Sequence, residues 1–423
     1  MKNYKLETLC VQAGYNPKSG EARIPPIAQS TTFVYEKTQE MADLFDLKGD
    51  GYFYTRLANP TVAAFEGKIA ALEGGVCGIG CASGMSATSL AVFTVAGAGD
   101  NVLSSQAVYG GTYNLFSTTL PKLGIECRFF DPDAPAEEIE KLIDGKTKMI
   151  FTETVANPAI VVLDFEKIAK IASKHKVLFA VDNTLATPAL CRPKEWGANL
   201  IIHSSSKYLD GHAAALGGVI VDAGNFEFKN NERYPSFNIP DESYHGLIYA
   251  NLPVAFGTKC RAQMMRDFGA IMSPQNAFIS YIGSDTLALR MERHSFNAKK
   301  VAEYLSKHPK IEWINHPSLK NDKYHALAEK YMPNGQGGMM SFGIKGDVEK
   351  CAKFMEALKL ITQETHVADA RSCVLHPAST THRQLSEEDL KKAGVPHNLI
   401  RLSVGIEHYE DIIADLEQAL EKV

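Results

Sequence analysis

Lys207 stands among hydroxyls in HSSSKYLDGH (203–212), directly after Ser204, Ser205 and Ser206. A primary amine in that setting can be a solvated surface charge, a phosphate ligand or a covalent handle for a carbonyl compound. The stretch overlaps NLIIH, an apolar run that reads as a buried strand. Ligands of parallel sheets bind just past the carboxyl ends of their strands. Other residues with chemical capacity occupy the same kind of position. Asp182 closes the run VLFAVD, Glu153 and Asn157 lie at the end of TKMIFTET and beyond it, and Tyr109 follows NVLSS. The turn CASGMSAT (81–88) opens a helix, whose free N–H groups suit a phosphate.

Each of these residues has a plainer reading when taken singly. Asp182 suits a helix cap, Tyr109 a core aromatic, the glycines a tight turn, and Lys207 the solvent. Taken together they are the set that pyridoxal 5′-phosphate requires. Its aldehyde needs an amine, its phosphate needs hydroxyls and backbone donors, its ring needs a stacking face, and its pyridine nitrogen needs a carboxylate.

Composition narrows the alternatives. Hydrophobic content of 45% and charged content of 22% supply a sizeable core for a chain of 423 residues, enough for two or three packed units. A net charge of −5 gives no pull toward nucleic acid or acidic lipid. The N-terminus MKNYKLETLCVQAG lacks the apolar segment of a secretory leader, and no apolar run reaches about 18 residues, so a cytoplasmic protein without a membrane span is expected. The eight cysteines are scattered, and Cys77 with Cys81 lacks the second pair a zinc site needs, so no metal is expected. Gly78, Gly80 and Gly84 mimic a dinucleotide fingerprint, but the following NVLSSQ offers no acid for a ribose.

The elements that must position these groups alternate. GVCGIGCA, NVLSS, IECRFFD, TKMIFTET, VLFAVDNT, NLIIH and LGGVIVD read as short buried strands, with helical stretches between most of them. Strands apolar on both faces imply an α/β fold with a mostly parallel central sheet covered by helices. Residues 1–60 are rich in turn chemistry and read as an extended arm that reaches a neighbouring subunit. The sheet domain is expected over 61–267, and a smaller C-terminal α/β domain over 268–423. Residues 222–252 break the rhythm as a long polar and aromatic loop, which is expected to be functional or disordered. A single long helical stretch is expected from about Pro274 to Ser306.

In the combination YTRLANPT, SGMSA, VYGGTY, VDNT, SSSKYLDGH, HPASTTH and RLSVGIE, the chain resembles the γ-type pyridoxal-phosphate enzymes of cysteine and methionine metabolism, the fold-type I group. The resemblance runs from Tyr54 to Arg401. It implies that Lys207 forms the Schiff base and shuttles protons, that Asp182 pairs with the ring nitrogen, and that Tyr109 stacks on the ring near the leaving group. It implies phosphate contacts from Ser83, Gly84, Met85, Ser204 and Ser206, and from Tyr54 and Arg56 of a neighbouring subunit. Asn157 would touch the phenolic oxygen. Arg401 would bind the substrate carboxylate, with Asn157, Tyr54 and His366 also facing the substrate. At His366 the wider family often has serine or asparagine.

Within that family, the 222–252 insertion and the stretch HVADARSCVLHPASTTHRQL resemble the sulfhydrylase branch. Methionine γ-lyases commonly carry cysteine where this chain has Gly111. The resemblance therefore implies a transferase of the O-acetylhomoserine aminocarboxypropyltransferase type, which makes L-homocysteine from O-acetyl-L-homoserine and sulfide. Sulfur could also come from a thiol or a protein carrier. Cystathionine γ-synthase, then methionine γ-lyase, are the alternatives. A homotetramer with shared active sites is implied by the same resemblance.

Overall fold

The structure is a computed structural model that describes residues 4–381, 383 and 394–423. His382 of HPASTTH, and Gln384 and Leu385 of the longer stretch, lie outside the described residues.

All seven apolar runs form strands: β1 (Cys77–Cys81), β2 (Asn101–Ser105), β3 (Glu126–Phe130), β4 (Thr147–Glu153), β5 (Leu178–Asp182), β6 (Leu200–Ser204) and β7 (Gly218–Asp222). Among the described residues they make one sheet in the order β1-β7-β6-β5-β4-β2-β3. The pairings β2/β3, β2/β4, β4/β5 and β5/β6 are parallel, while β7 runs against both β1 and β6. Side chains alternate across the sheet with the two-residue period of a strand. Phe179 and Val181 therefore enter one core, while Leu178 and Ala180 enter the core on the opposite face. Burial on both faces explains why these strands read as continuous apolar runs.

A second sheet contains β8 (Ile311–Asn315), β9 (Met339–Ile344), β10 (Thr362–Gln363), β11 (Cys373–Leu375) and β12 (Leu399–Ser403), in the order β10-β11-β12-β9-β8. It packs its own core against the helices Leu287–Leu305 and Tyr409–Leu420.

Local chemistry sets the helix ends. Asn59 caps Pro60–Glu73 by accepting from Thr61 N and Val62 N, and Gly74 ends that helix at φ 72°. Ser83 caps Gly84–Val95 by accepting from Ser86 N at 3.1 Å. Within the expected arm, Leu6–Gln12 form a helix that packs on Pro60–Glu73 and on the helices of 274–305, with Cys10 buried. The single helix expected over 274–306 is two, Pro274–Asp285 and Leu287–Leu305, meeting at Thr286. Apolar periodicity continues through that break, so it has no signature in the residue pattern.

Residues 222–252 differ most from expectation. Phe228, Tyr234, Phe237 and Tyr249 are buried and join the core on one face of the large sheet. The Phe228 and Phe237 rings stack with centroids 4.0 Å apart. The Tyr234 hydroxyl donates to Lys148 O at 2.6 Å and accepts from Leu178 N at 2.7 Å, tying the segment to β4 and β5. A polar-looking insertion is thus a packed cover over the sheet. Tyr234→Phe leaves a buried N–H and a buried carbonyl without their partner, at a cost of about 1–3 kcal/mol each. The expected result is a lower urea midpoint with little change in the slope of the transition.

Candidate active site

The parallel strands β4, β5 and β6 end side by side, and the order of the sheet reverses between β4 and β2. Sequence runs one way from β4 to β5 and the other way from β2 to β3, which leaves a crevice where the crossover connections diverge. A cavity of about 510 Å³ opens at this end of the sheet. It is lined by Ser83, Gly84, Met85, Tyr109, Glu153, Asn157, Asp182, Ser204, Ser206, Lys207, His366 and Arg401, with Thr88, Thr112, Thr184 and Thr365 among the others. An adjoining cavity of about 440 Å³ shares Tyr109, Asn157, Lys207, His366 and Arg401, and adds Gly111, Pro377 and Thr381. The segment HPASTTH thereby reaches the site through Pro377 and Thr381.

Lys207 Nζ lies 3.1 Å from His366 Nδ1. Burial, and next the positive charge of Arg401, hold the Lys207 amine below its ordinary pKa. Burial and the nearby Lys207 likewise lower His366. Arg401 comes from β12 and is almost wholly buried. It donates to the carbonyls of Thr365 and His366, both at 3.2 Å. Among the described residues it forms no ion pair with an acid, and desolvation drops its guanidinium to about 10. It is a buried fork, cationic at neutral pH, with capacity for a bidentate anion.

Asp182 Oδ1 accepts from Thr184 N at 2.9 Å. Burial raises its carboxyl, while the bonds from Thr184 and the proximity of His203 oppose that rise. Glu153, in register with Asp182 across β4 and β5, is raised further by burial and by the Asp182 charge. Thr184 also accepts from Ser204 N at 2.8 Å, linking the ends of β5 and β6. The Ser206 hydroxyl is engaged with Gly217, donating to its carbonyl at 3.2 Å and accepting from its N–H at 2.9 Å. Tyr109 precedes the short helix Gly110–Asn114, and its ring is about half exposed at the mouth.

Two expected residues lie elsewhere. Tyr54 and Arg56 line a separate groove with Tyr244 and Arg266, where Arg56 donates to Arg266 O at 2.8 Å. Glu153, Thr184 and Thr365 join the site without a role assigned from sequence. Thr184 stands inside the quoted VDNT, two residues beyond the strand-end Asp182, which was its available signal.

The profile of the Cys/Met metabolism PLP-dependent enzyme family matches residues 7–421. The chain belongs to that family. An O-acetyl-L-homoserine sulfhydrylase of Leptospira meyeri is 43% identical over 100% of this chain and 98% of its own. A homocysteine synthase of Schizosaccharomyces pombe is 45% identical over 98% of each chain. A Campylobacter jejuni crystal structure, described as an O-acetylhomoserine (thiol)-lyase carrying a pyridoxyl-lysine monophosphate, superposes with TM-score 0.96 at 43% identity, covering 99% of this chain and 100% of that one.

The fit of the family's cofactor can be tested on two features. Asn157 Oδ1 is buried and has no hydrogen-bond partner among the described residues, a cost that a ligand donor in the cavity would relieve. A Cβ at Gly84 would lie 2.7 Å from Ser204 Cβ, so glycine is what lets the first turn of Gly84–Val95 close on Ser204. That approach gathers backbone N–H groups and hydroxyls in one corner, at the positive end of a helix. The residues fit pyridoxal phosphate.

Proposed function

We propose that the protein is an O-acetyl-L-homoserine sulfhydrylase, which replaces acetate by sulfide at the γ-carbon and yields L-homocysteine. The observation that carries this reading is the buried guanidinium of Arg401, free of any acidic partner among the described residues, in one cavity with Lys207. An α-amino acid would place its carboxylate on the fork and its α-carbon near the amine. The similarity to sulfhydrylases and homocysteine synthases over essentially full length supports the choice of substrate.

Lys207 would hold the cofactor covalently, with Asp182 beside its ring nitrogen, the Tyr109 ring on its face and Asn157 near its phenolic oxygen. Ser83, Gly84, Met85, Ser204 and Ser206 would hold its phosphate, and Tyr54 and Arg56 would reach the phosphate of the neighbouring subunit. When bound, the cofactor supplies an electron sink for the α- and β-carbons of the substrate. Lys207 Nζ takes the α-proton, a task its lowered pKa favours because the neutral amine is the base. His366 Nδ1 accepts a hydrogen bond from that amine and keeps it aimed. Arg401, together with Asn157 and His366, fixes the substrate, so that the γ-carbon faces the adjoining cavity where acetate leaves and sulfide enters. Tyr109 lies at the mouth, beside that path.

Gly111 separates this reading from methionine γ-lyase. A Cβ there would lie 2.5 Å from Tyr109 Cε1, so the cysteine that those lyases carry would displace the ring. Cystathionine γ-synthase is the competing activity. Purified enzyme given O-acetylhomoserine with equal sulfide and cysteine is expected to form homocysteine faster than cystathionine. The reverse order would assign the synthase instead. A cytoplasmic homotetramer with shared active sites belongs to the same proposal.

A further inference from the structure

Among the described residues, Glu153 is the carboxyl in the cavity with neither a cation beside it nor a task in the chemistry above. It is 8% exposed, and among the described residues no lysine or arginine lies within ion-pair distance. Strand register sets it directly beside Asp182. Its Oε1 accepts from the backbone N–H of Tyr109 at 2.6 Å. Tyr109 follows β2 and Glu153 ends β4, so this bond spans the crevice where the sheet order reverses. The Glu153 side chain thus holds the main chain of Tyr109 across that crevice.

Two carboxylates side by side in a buried site cannot both ionise cheaply. Each carboxyl accepts a backbone hydrogen bond that favours its charged form, Asp182 from Thr184 and Glu153 from Tyr109. Burial and then the Asp182 charge raise Glu153 well above its ordinary value, while the proximity of His203 opposes the rise at Asp182. We propose that Glu153 is a positioning residue acting as a neutral acid, bridging β4 to the β2 turn so that Tyr109 meets the cofactor while Asp182 alone carries the negative charge. The role rests on the sulfhydrylase reading only for the rate it affects; the bridge itself concerns the cofactor site.

The test uses holoenzyme variants Glu153→Gln and Glu153→Ala, read by circular dichroism of the visible cofactor band without substrate, and then by kcat and KM. Glutamine keeps an oxygen that accepts from the Tyr109 N–H and cannot ionise, so the dichroism persists and kcat stays within about threefold of the parent. Alanine releases Tyr109, so the dichroism weakens and kcat falls by about 10–100-fold, as misplacement of positioning groups does. Rescue of both readouts by glutamine over alanine supports the proposal. Two results would overturn it: a glutamine variant as impaired as alanine, showing that ionised Glu153 is needed, or an alanine variant with unaltered dichroism and kcat. Should the alanine variant fail to fold, the glutamine variant decides by itself. If the parent makes no homocysteine, the activity assignment fails, and the substrate-free dichroism still reads the bridge.

Discussion

Lys207→Ala is expected to lose the yellow colour of the holoenzyme and to slow turnover by at least about 10³-fold, within the range that a positioned general base contributes. The argument rests on the setting of Nζ. Burial and Arg401 hold the amine below its ordinary pKa, and His366 Nδ1 sits 3.1 Å away to orient it. On the proposed reading, alanine removes both the covalent anchor and the base. Lys207→Arg separates charge from basicity, because a guanidinium stays protonated and cannot take the α-proton. It should be as inactive as alanine although the cation is retained. Absorbance and single-turnover rates on the two variants check this. A variant that kept both colour and turnover would exclude Lys207 from the chemistry.

Arg401→Met is expected to lower kcat/KM by about 2–4 kcal/mol of transition-state binding, roughly 30- to 1000-fold, through loss of the carboxylate fork. The same variant should not unfold more easily than the parent. A buried guanidinium without an acidic partner among the described residues costs desolvation in the free enzyme, and a methionine of similar reach avoids that cost. Its two hydrogen bonds to Thr365 O and His366 O are lost in exchange, so the thermal midpoint should stay level or rise slightly. Activity and stability moving apart is the signature of a binding residue kept at some expense to the fold. A fall in both together would instead make Arg401 a structural clamp on residues 365 and 366. Steady-state kinetics and a thermal melt on one preparation distinguish the two.

The residues that gather at the candidate site are legible in the sequence because they sit where local pattern places them. The seven apolar runs mark strands buried on both faces, and residues just past their carboxyl ends face one crevice by the geometry of parallel sheets. Lys207, Asp182, Tyr109 and the turn at Gly84 follow from that rule together with the chemistry of their side chains. Residues 222–252 were not legible, because Tyr234 hides a buried hydroxyl network behind a polar surround. Periodicity cannot reveal partners that lie on distant strands.

The order of residues alone specified the cofactor chemistry, since amine, carboxylate, aromatic face and phosphate turn are read by type and position along the chain. The folded chain added what depends on register and on contacts between segments far apart in sequence. Only pairing of β4 with β5 sets Glu153 beside Asp182, and only the adjacency of β2 and β4 lets it hold Tyr109. Only the packing of the second sheet brings Arg401 and His366 over Lys207. Side-chain type is a local property, whereas the distance between two side chains is set by every hydrogen bond and packed layer between them.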